Sequence, residues 1–213
     1  VWNKMLAKHR ESRRRQLLFH VPVMVPVWPQ VRLIEDEPSY TSLGEVYEVN
    51  CARYGRAVDQ PVMFFKERLS QAGPQAQQDS SIAMQVRAQA YKEISTQMVT
   101  ENILSQYMYK TLPSGNHLWV FKRQFAAQMA LSGLASHLLH IGGRAPTKTL
   151  FAKSSGKVFQ LDFHCLYDGG KLEVAEPVPF RLTRNLQSFI TPFGVDGIFV
   201  SAMVAAAQVS ISA

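Results

Sequence analysis

Two Gly-Lys pairs, Gly156-Lys157 and Gly170-Lys171, are the first residues with the type and order to hold a phosphate. A phosphate-cradling loop needs Ser or Thr after the lysine, for magnesium, and a glycine five residues before the second one, for close backbone approach. Val158 and Leu172 follow here, and Phe151 and Cys165 stand upstream, so neither pair makes such a loop. Nor is there a GxGxxG. Histidines come next. His137 and His140 fall about one helical turn apart, and His164-Cys165 would complete a four-ligand zinc set. HxxH without the glutamate of HExxH is a weak signal, and satisfied structural histidines are the competing reading. No serine sits in a GxSxG elbow, and nothing ties a histidine to a nucleophile.

Charge is placed unevenly. Most of the net +7 lies in residues 1–20, where Lys4, Lys8, Arg10, Arg13, Arg14 and Arg15 stand against Glu11 alone. "KHRESRRR" fits a nuclear-import or nucleic-acid patch, or a solvated helix end leading into a strand. Aromatic residues do not interleave with the charges, which favours the helix end. With 46% apolar and 18% charged residues the composition is that of a globular protein with a substantial core. Two cysteines without a CxxC partner make no disulfide framework, so a reducing compartment is expected. No charged-then-apolar leader is visible, and "GIFVSAMVAAAQV" (197–209) is too short to span a bilayer and reads as a buried helix.

These residues must be held by elements, and the pattern predicts an α+β, helix-rich chain. Val21, Val23, Val25 and Val27 alternate as in a strand, and "QVRLIED" (30–36) forms a second. Pro22, Pro26 and Pro29 cannot donate ladder hydrogen bonds, so the first strand must be an edge or be broken by a bend. Ser42 with Glu45 three residues on forms a capping box before a helix that Gly55 would end. "SQAGPQAQQDSS" (70–81) lacks large apolar side chains and reads as a mobile insertion. Helices are predicted over 82–98 and 103–111, separated by "VTEN". A longer one runs over 117–140, capped by Asn116 and closed by Gly142. On it Leu118, Phe121, Phe125, Met129, Leu134 and Leu138 share one broad core face. "TLFAK" (149–153) and "KVFQLDF" (157–163) flank "SSG" and predict a hairpin over 149–163, with Phe151 and Phe159 packing inward.

The segments "GGRAPTK" (142–148), "DFH" (162–164) and "PVPFRLTRN" (177–185) resemble, in order and spacing, those of the phosphatidylinositol-3-kinase-related kinases. That family has a "GDRHxxN" catalytic loop, a hairpin, "DFG", and the end of an activation segment. "FHVP" (19–22), "PQVRLIEDEP" (29–38), "CARYG" (51–55), "FKRQF" (121–125) and "AEPVPFRLTRN" (175–185) look like its transcription-associated pseudokinases in particular. The likeness covers essentially the whole chain apart from 70–81 and the last few residues.

The resemblance implies a kinase-like fold of the lipid-kinase branch: residues 1–38 as the end of a small lobe and its hinge, and 39–213 as a mainly helical large lobe with an embedded hairpin. It also implies a chain that begins past the glycine-rich strands and ends before the family's C-terminal helices. By the motif's register Gly143 stands where the catalytic Asp would be, Ala145 replaces the loop His, and Lys148 the metal-holding Asn. Arg144, Asp162 and Phe163 match, and His164 replaces the DFG glycine. In a working kinase that Asp accepts the substrate proton, while the Asn and the DFG Asp hold magnesium. The expectation is therefore a pseudokinase with no catalytic residues, no cofactor and no metal. Lys148 is expected to place its ammonium near the Asp162 carboxylate. The implied role is a nuclear scaffold in a histone acetyltransferase coactivator complex such as SAGA. Its partners would be the other protein subunits and, through the full-length protein, transcription activators, with no direct nucleic acid and no membrane. The rivals are a serine/threonine or lipid phosphotransferase using displaced groups, such as Asp162 with an acid from outside the loop, and a nucleic-acid module resting on residues 1–15.

Overall fold

The computed structural model describes residues 1–36, 38–73, 80–160, 167–168, 171–172, 178–191 and 194–211. Two short helices, α1 (Trp2–Lys8) and α2 (Arg10–Arg14), open the chain. They are not simply solvated. Leu6, Ser12 and Leu17 are buried, and the Ser12 hydroxyl donates to the Ala205 carbonyl at 3.2 Å. Phe19 exchanges two 2.8 Å hydrogen bonds with the Asn3 amide, and Gln128 donates to the Leu18 carbonyl at 2.7 Å. The basic residues other than Arg15 ride on the outside of this docked pair.

An antiparallel hairpin of β1 (Met24–Trp28) and β2 (Val31–Ile34) follows, pairing Met24 with Ile34 and Val25 with Leu33. With two strands only, both are edges, and the register shifts between Pro26 and Trp28. The prolines are accommodated as expected.

The strand β3 (Tyr40–Ser42) was not evident from the pattern; it adds to β4 (Thr149–Ala152), which pairs with β5 (Val158–Gln160). The expected hairpin is thus two strands of a three-stranded sheet. Leu150 faces Phe159 and Phe151 faces Val158 across it, which puts Phe151 and Phe159 on opposite faces. Phe151 packs on Phe121 and Phe125, whereas Phe159 meets the Tyr40 ring edge-on at 4.6 Å. Residues 161–163 of the expected hairpin lie outside the described residues.

Ser42 starts α3 (Leu43–Arg53) with the capping box read from sequence: its hydroxyl accepts from Glu45 N at 3.0 Å and its N–H donates to Glu45 at 3.1 Å. Gly55 takes φ +61° just beyond the helix end. The Thr41 hydroxyl, at 2.6 Å from Glu45, and then the Ser42 N–H hold the Glu45 carboxyl below its ordinary pKa. A carboxylate lowered on folding contributes stability above its unfolded pKa and loses it as pH falls through the folded one. Glu45→Gln is therefore expected to lower stability at about pH 7 and to differ little from the parent at about pH 3, as urea melts at both values will report. Ser42→Ala should cost about 1 kcal/mol at either pH.

Next come α4 (Gln60–Gln71), α5 (Ser80–Glu93) continued by a wide turn at Ile94–Met98, and α6 (Ile103–Thr111). Helix reaches further into the predicted insertion than expected: Ser70, Gln71, Ser80 and Ser81 are helical, and 74–79 lie outside the described residues.

The long helix α7 (Gly115–Leu138) is the spine. Its N-cap is Ser114 rather than Asn116, because the Ser114 hydroxyl, four residues before the first core side chain, Leu118, accepts from His117 N. Its end is set by His140, at φ +47°, with Ile141 N bonded back to Ser136 O at 2.9 Å. Gly142 is not needed for that turn. Leu118, Phe121, Phe125, Met129 and Leu134 are buried as expected, but Leu138 is 47% exposed, since it lies in the last turn as the chain leaves the core. Lys122 is buried by its stem and donates to Thr191 O at 3.1 Å, tying α7 to the end of α8 (Arg184–Ile190). Burial lowers its pKa. After two short strands, β6 (Tyr167–Asp168) and β7 (Lys171–Leu172), and α8, the chain ends in α9 (Val200–Ile211), preceded by a kinked turn at Gly197. Ala202, Ala205, Ala206 and Val209 of α9 belong to the same buried cluster as α7. The apolar tail is a core helix, and among the described residues no single helix is long and apolar enough to cross a membrane.

Candidate functional site

The segment 141–148 joins the end of α7 to β4, so helix, sheet and loop fix its path together. Its last three residues form a single 3-10 turn, Pro146–Lys148, opened by a proline that presets φ. Arg144 is the anchor. Its Nε donates to Ile141 O at 2.9 Å, and one terminal nitrogen donates to Val178 O at 2.9 Å. In return Arg181 donates to the Arg144 carbonyl at 2.6 Å. Gln160, at the end of β5, reaches the Gly143 carbonyl at 3.4 Å. The loop is thereby clamped to residues 178–181 and to the hairpin through backbone carbonyls.

Gly143 has φ +67°, a left-handed conformation that costs most side chains 1–3 kcal/mol, and a Cβ built there would lie 3.8 Å from the Lys148 ammonium. The two positions therefore share one side of the loop, and the space between them holds a cation. Within 141–148 there is no carboxylate, and Thr147 carries the only hydroxyl. One cavity beside the loop, lined by Arg144, Gln160 and Arg181, by the hydroxyl residues Ser132, Ser136, Thr149 and Thr183 and by apolar neighbours, measures about 50 Å³. Ligand pockets run to several hundred Å³.

Of the residues singled out by sequence, Gly143, Arg144, Ala145 and Lys148 are thus brought together in one clamped turn. Asp162, Phe163 and His164 lie outside the described residues, and with them the expected Lys148–Asp162 pairing. His137 is exposed, His140 serves as the helix terminator, and among the described residues no group of three metal-capable side chains exists. Sequence reasoning missed the clamp made by Arg181 and Gln160. Both bond to backbone carbonyls, which leave no signature in residue type.

The chain is 36% identical over 97% of its length to the transformation/transcription domain-associated protein of Danio rerio. It is 31% identical over 93% of its length to the SAGA complex/NuA4 acetyltransferase complex subunit TRA1 of Saccharomyces cerevisiae. The chain spans 5% and 6% of those proteins, respectively. A solved structure described as the FAT and kinase domain of CtTel1 superposes with a TM-score of 0.69 at 18% identity, covering 97% of this chain and 14% of the other. That likeness shows the kinase-like fold. The sequence model of phosphatidylinositol 3- and 4-kinases matches residues 1–213, and the chain belongs to that family.

Proposed function

We propose that this chain is a kinase-like domain without phosphotransfer chemistry, serving as a structural and interaction part of a nuclear transcription coactivator complex with histone acetyltransferase activity. The observation that carries the first half is the Gly143–Lys148 geometry. By the motif's register these are the places of the general base and of a magnesium ligand. A left-handed glycine facing an ammonium supplies neither. Losing a general base costs about 10²–10⁴ in rate. An ammonium at a ligand position repels Mg²⁺ as well as failing to bind it. What remains of the motif in the described loop, Arg144, is occupied in holding the loop's shape.

The second half rests on relatives whose names describe transcription-associated proteins and subunits of the SAGA and NuA4 complexes. Its partners would be subunits of such a complex and, through the whole protein, transcription activators. Nucleic acid and membrane play no direct part in this reading. Within it, residues 1–38 end a small lobe and its hinge, and 39–213 form the large lobe onto which α1 and α2 dock.

Radiolabelled ATP with a general protein substrate, across a magnesium titration, tests the inactivity. Incorporation indistinguishable from a no-protein control is expected, and Mg²⁺-dependent incorporation would overturn the reading. The loop itself is tested by Gly143→Asp with Lys148→Asn, followed by magnesium calorimetry. The double variant should bind Mg²⁺ more tightly than the parent, at about 1–3 kcal/mol of fold stability for a side chain at φ +67°. Equal binding in both would mean that these two positions are not what disables the site.

A further inference from the structure

A second cavity, of about 250 Å³, shares no lining residue with the one beside the loop. It lies between α2, α7 and the start of α9. Arg14, Arg15 and Arg123 line it, with Gln124 and Ser201 beside them and an apolar floor led by Leu17. Arginines from α2, from its C-cap and from α7 thus border one cavity. Among the described residues the acid paired with Arg14 and Arg15 is Glu11, with a carboxylate oxygen 3.5 Å from Arg15 and another 3.9 Å from Arg14. The site therefore keeps a net charge of about +2 at neutral pH, since arginine does not deprotonate.

Two details separate this from a solvated basic surface. The Arg15 Nε is buried and, among the described residues, has no hydrogen-bond acceptor. A buried donor left unmet is costly, and such groups in native structures call for a partner. The Arg123 guanidinium lies 5.9 Å from the Trp119 ring centre, which limits its freedom while leaving its edge available.

We propose that this pocket binds a phosphomonoester dianion, either free or carried on a peptide. A dianion matches the residual charge, whereas a single carboxylate would leave about one positive charge uncompensated. Planar guanidinium forks pair with phosphate oxygens through two parallel hydrogen bonds. Turning the Arg15 side chain toward such a ligand would give its Nε, which has no surface open to the cavity here, the acceptor it lacks. The volume admits a phosphoryl group with a few atoms of its carrier, resting on Leu17. This goes beyond the scaffold reading and does not depend on it.

The test is calorimetric titration of the whole chain with inorganic phosphate, at ionic strength held constant with sodium chloride. Saturable binding is expected, weakened about tenfold or more in Arg123→Gln and in Arg15→Gln. Arg123 is exposed, so its replacement leaves the fold intact and decides the matter if Arg15→Gln fails to fold. A phosphoserine peptide forms a parallel arm. Tighter binding than inorganic phosphate through the same arginines assigns the dianion to a peptide, and weaker binding assigns it to a free anion. Binding of acetate as strong as that of phosphate would overturn the dianion. Heat no greater than with chloride, or phosphate binding unchanged in Arg123→Gln, would overturn the site.

Discussion

Phe125→Ala is expected to lower the unfolding free energy by about 3–5 kcal/mol. Phe125 is 1% exposed and sits at the meeting point of α7, the hairpin and α8. Its ring stacks on Phe121 at 5.7 Å and receives the edges of Phe151 at 5.6 Å and Phe189 at 5.4 Å. Removing it takes away the transfer free energy of the ring and leaves a cavity whose three aromatic walls are each held by a different element. Stacked and edge-on ring pairs add about 0.5–1.5 kcal/mol beyond area burial, so the upper half of the range is favoured. Urea unfolding at constant m-value measures the loss, and Phe125→Leu should recover most of it. A loss below about 1 kcal/mol would mean that the cluster closes up, and that α7 is not the spine. The effect bears on the loop as well. Phe151 lies in β4, which follows Lys148 directly, so loosening this cluster loosens one end of the clamped turn.

How far the sequence reaches into this structure depends on the range of the interaction involved. The capping box at Ser42 and Glu45 was legible because both partners lie within one helical turn and each residue type has a specific role there. The core face of α7 was legible through Phe121, Phe125 and Met129, since burial on one side of a helix imprints a period. Its ends were not. Asn116 and Gly142 are good cap residues by type, yet Ser114 and His140 do the work, because local geometry chose among several competent neighbours. The strand β3 escaped notice for a different reason. Three residues are too short to show alternation, and its partner β4 lies more than a hundred positions away. At the candidate site, the residues of the turn were located by their order along the chain. The clamp from Arg181 and Gln160 was not, since a guanidinium aimed at a distant carbonyl looks in sequence like any surface arginine. Nor does the net charge of residues 1–20 disclose that Arg14 and Arg15 meet Arg123 across a cavity; that needs the docking of α2 on α7 and α9.

Gly156→Ala is expected to cost about 2–6 kcal/mol, an unusual penalty for adding one methyl group in a hairpin turn. Two effects add. Gly156 has φ +71°, where an L side chain is strained by about 1–3 kcal/mol. The added Cβ would also stand 2.8 Å from the Phe121 carbonyl oxygen and 3.2 Å from the Phe125 nitrogen. Both obstacles are backbone atoms of α7, which cannot rotate aside as a side-chain tip would. Relief requires the turn to lift off the helix, and that draws Phe151 and Val158 out of the aromatic cluster at the same time. Overpacking of this kind typically costs 1–3 kcal/mol. The sequence had placed a glycine in this turn for hairpin geometry alone; the contact with α7 gives it a second reason. Gly156→D-Ala, introduced by chemical ligation, removes both contributions at once, because it accepts the positive φ and carries its methyl in another direction. Recovery of most of the stability in the D-Ala protein, with Gly156→Ala strongly destabilised, is the expected pattern. An L-alanine variant within about 0.5 kcal/mol of the parent would show that the turn does not lie against α7, and the hairpin would then lose its role in positioning the loop that precedes it.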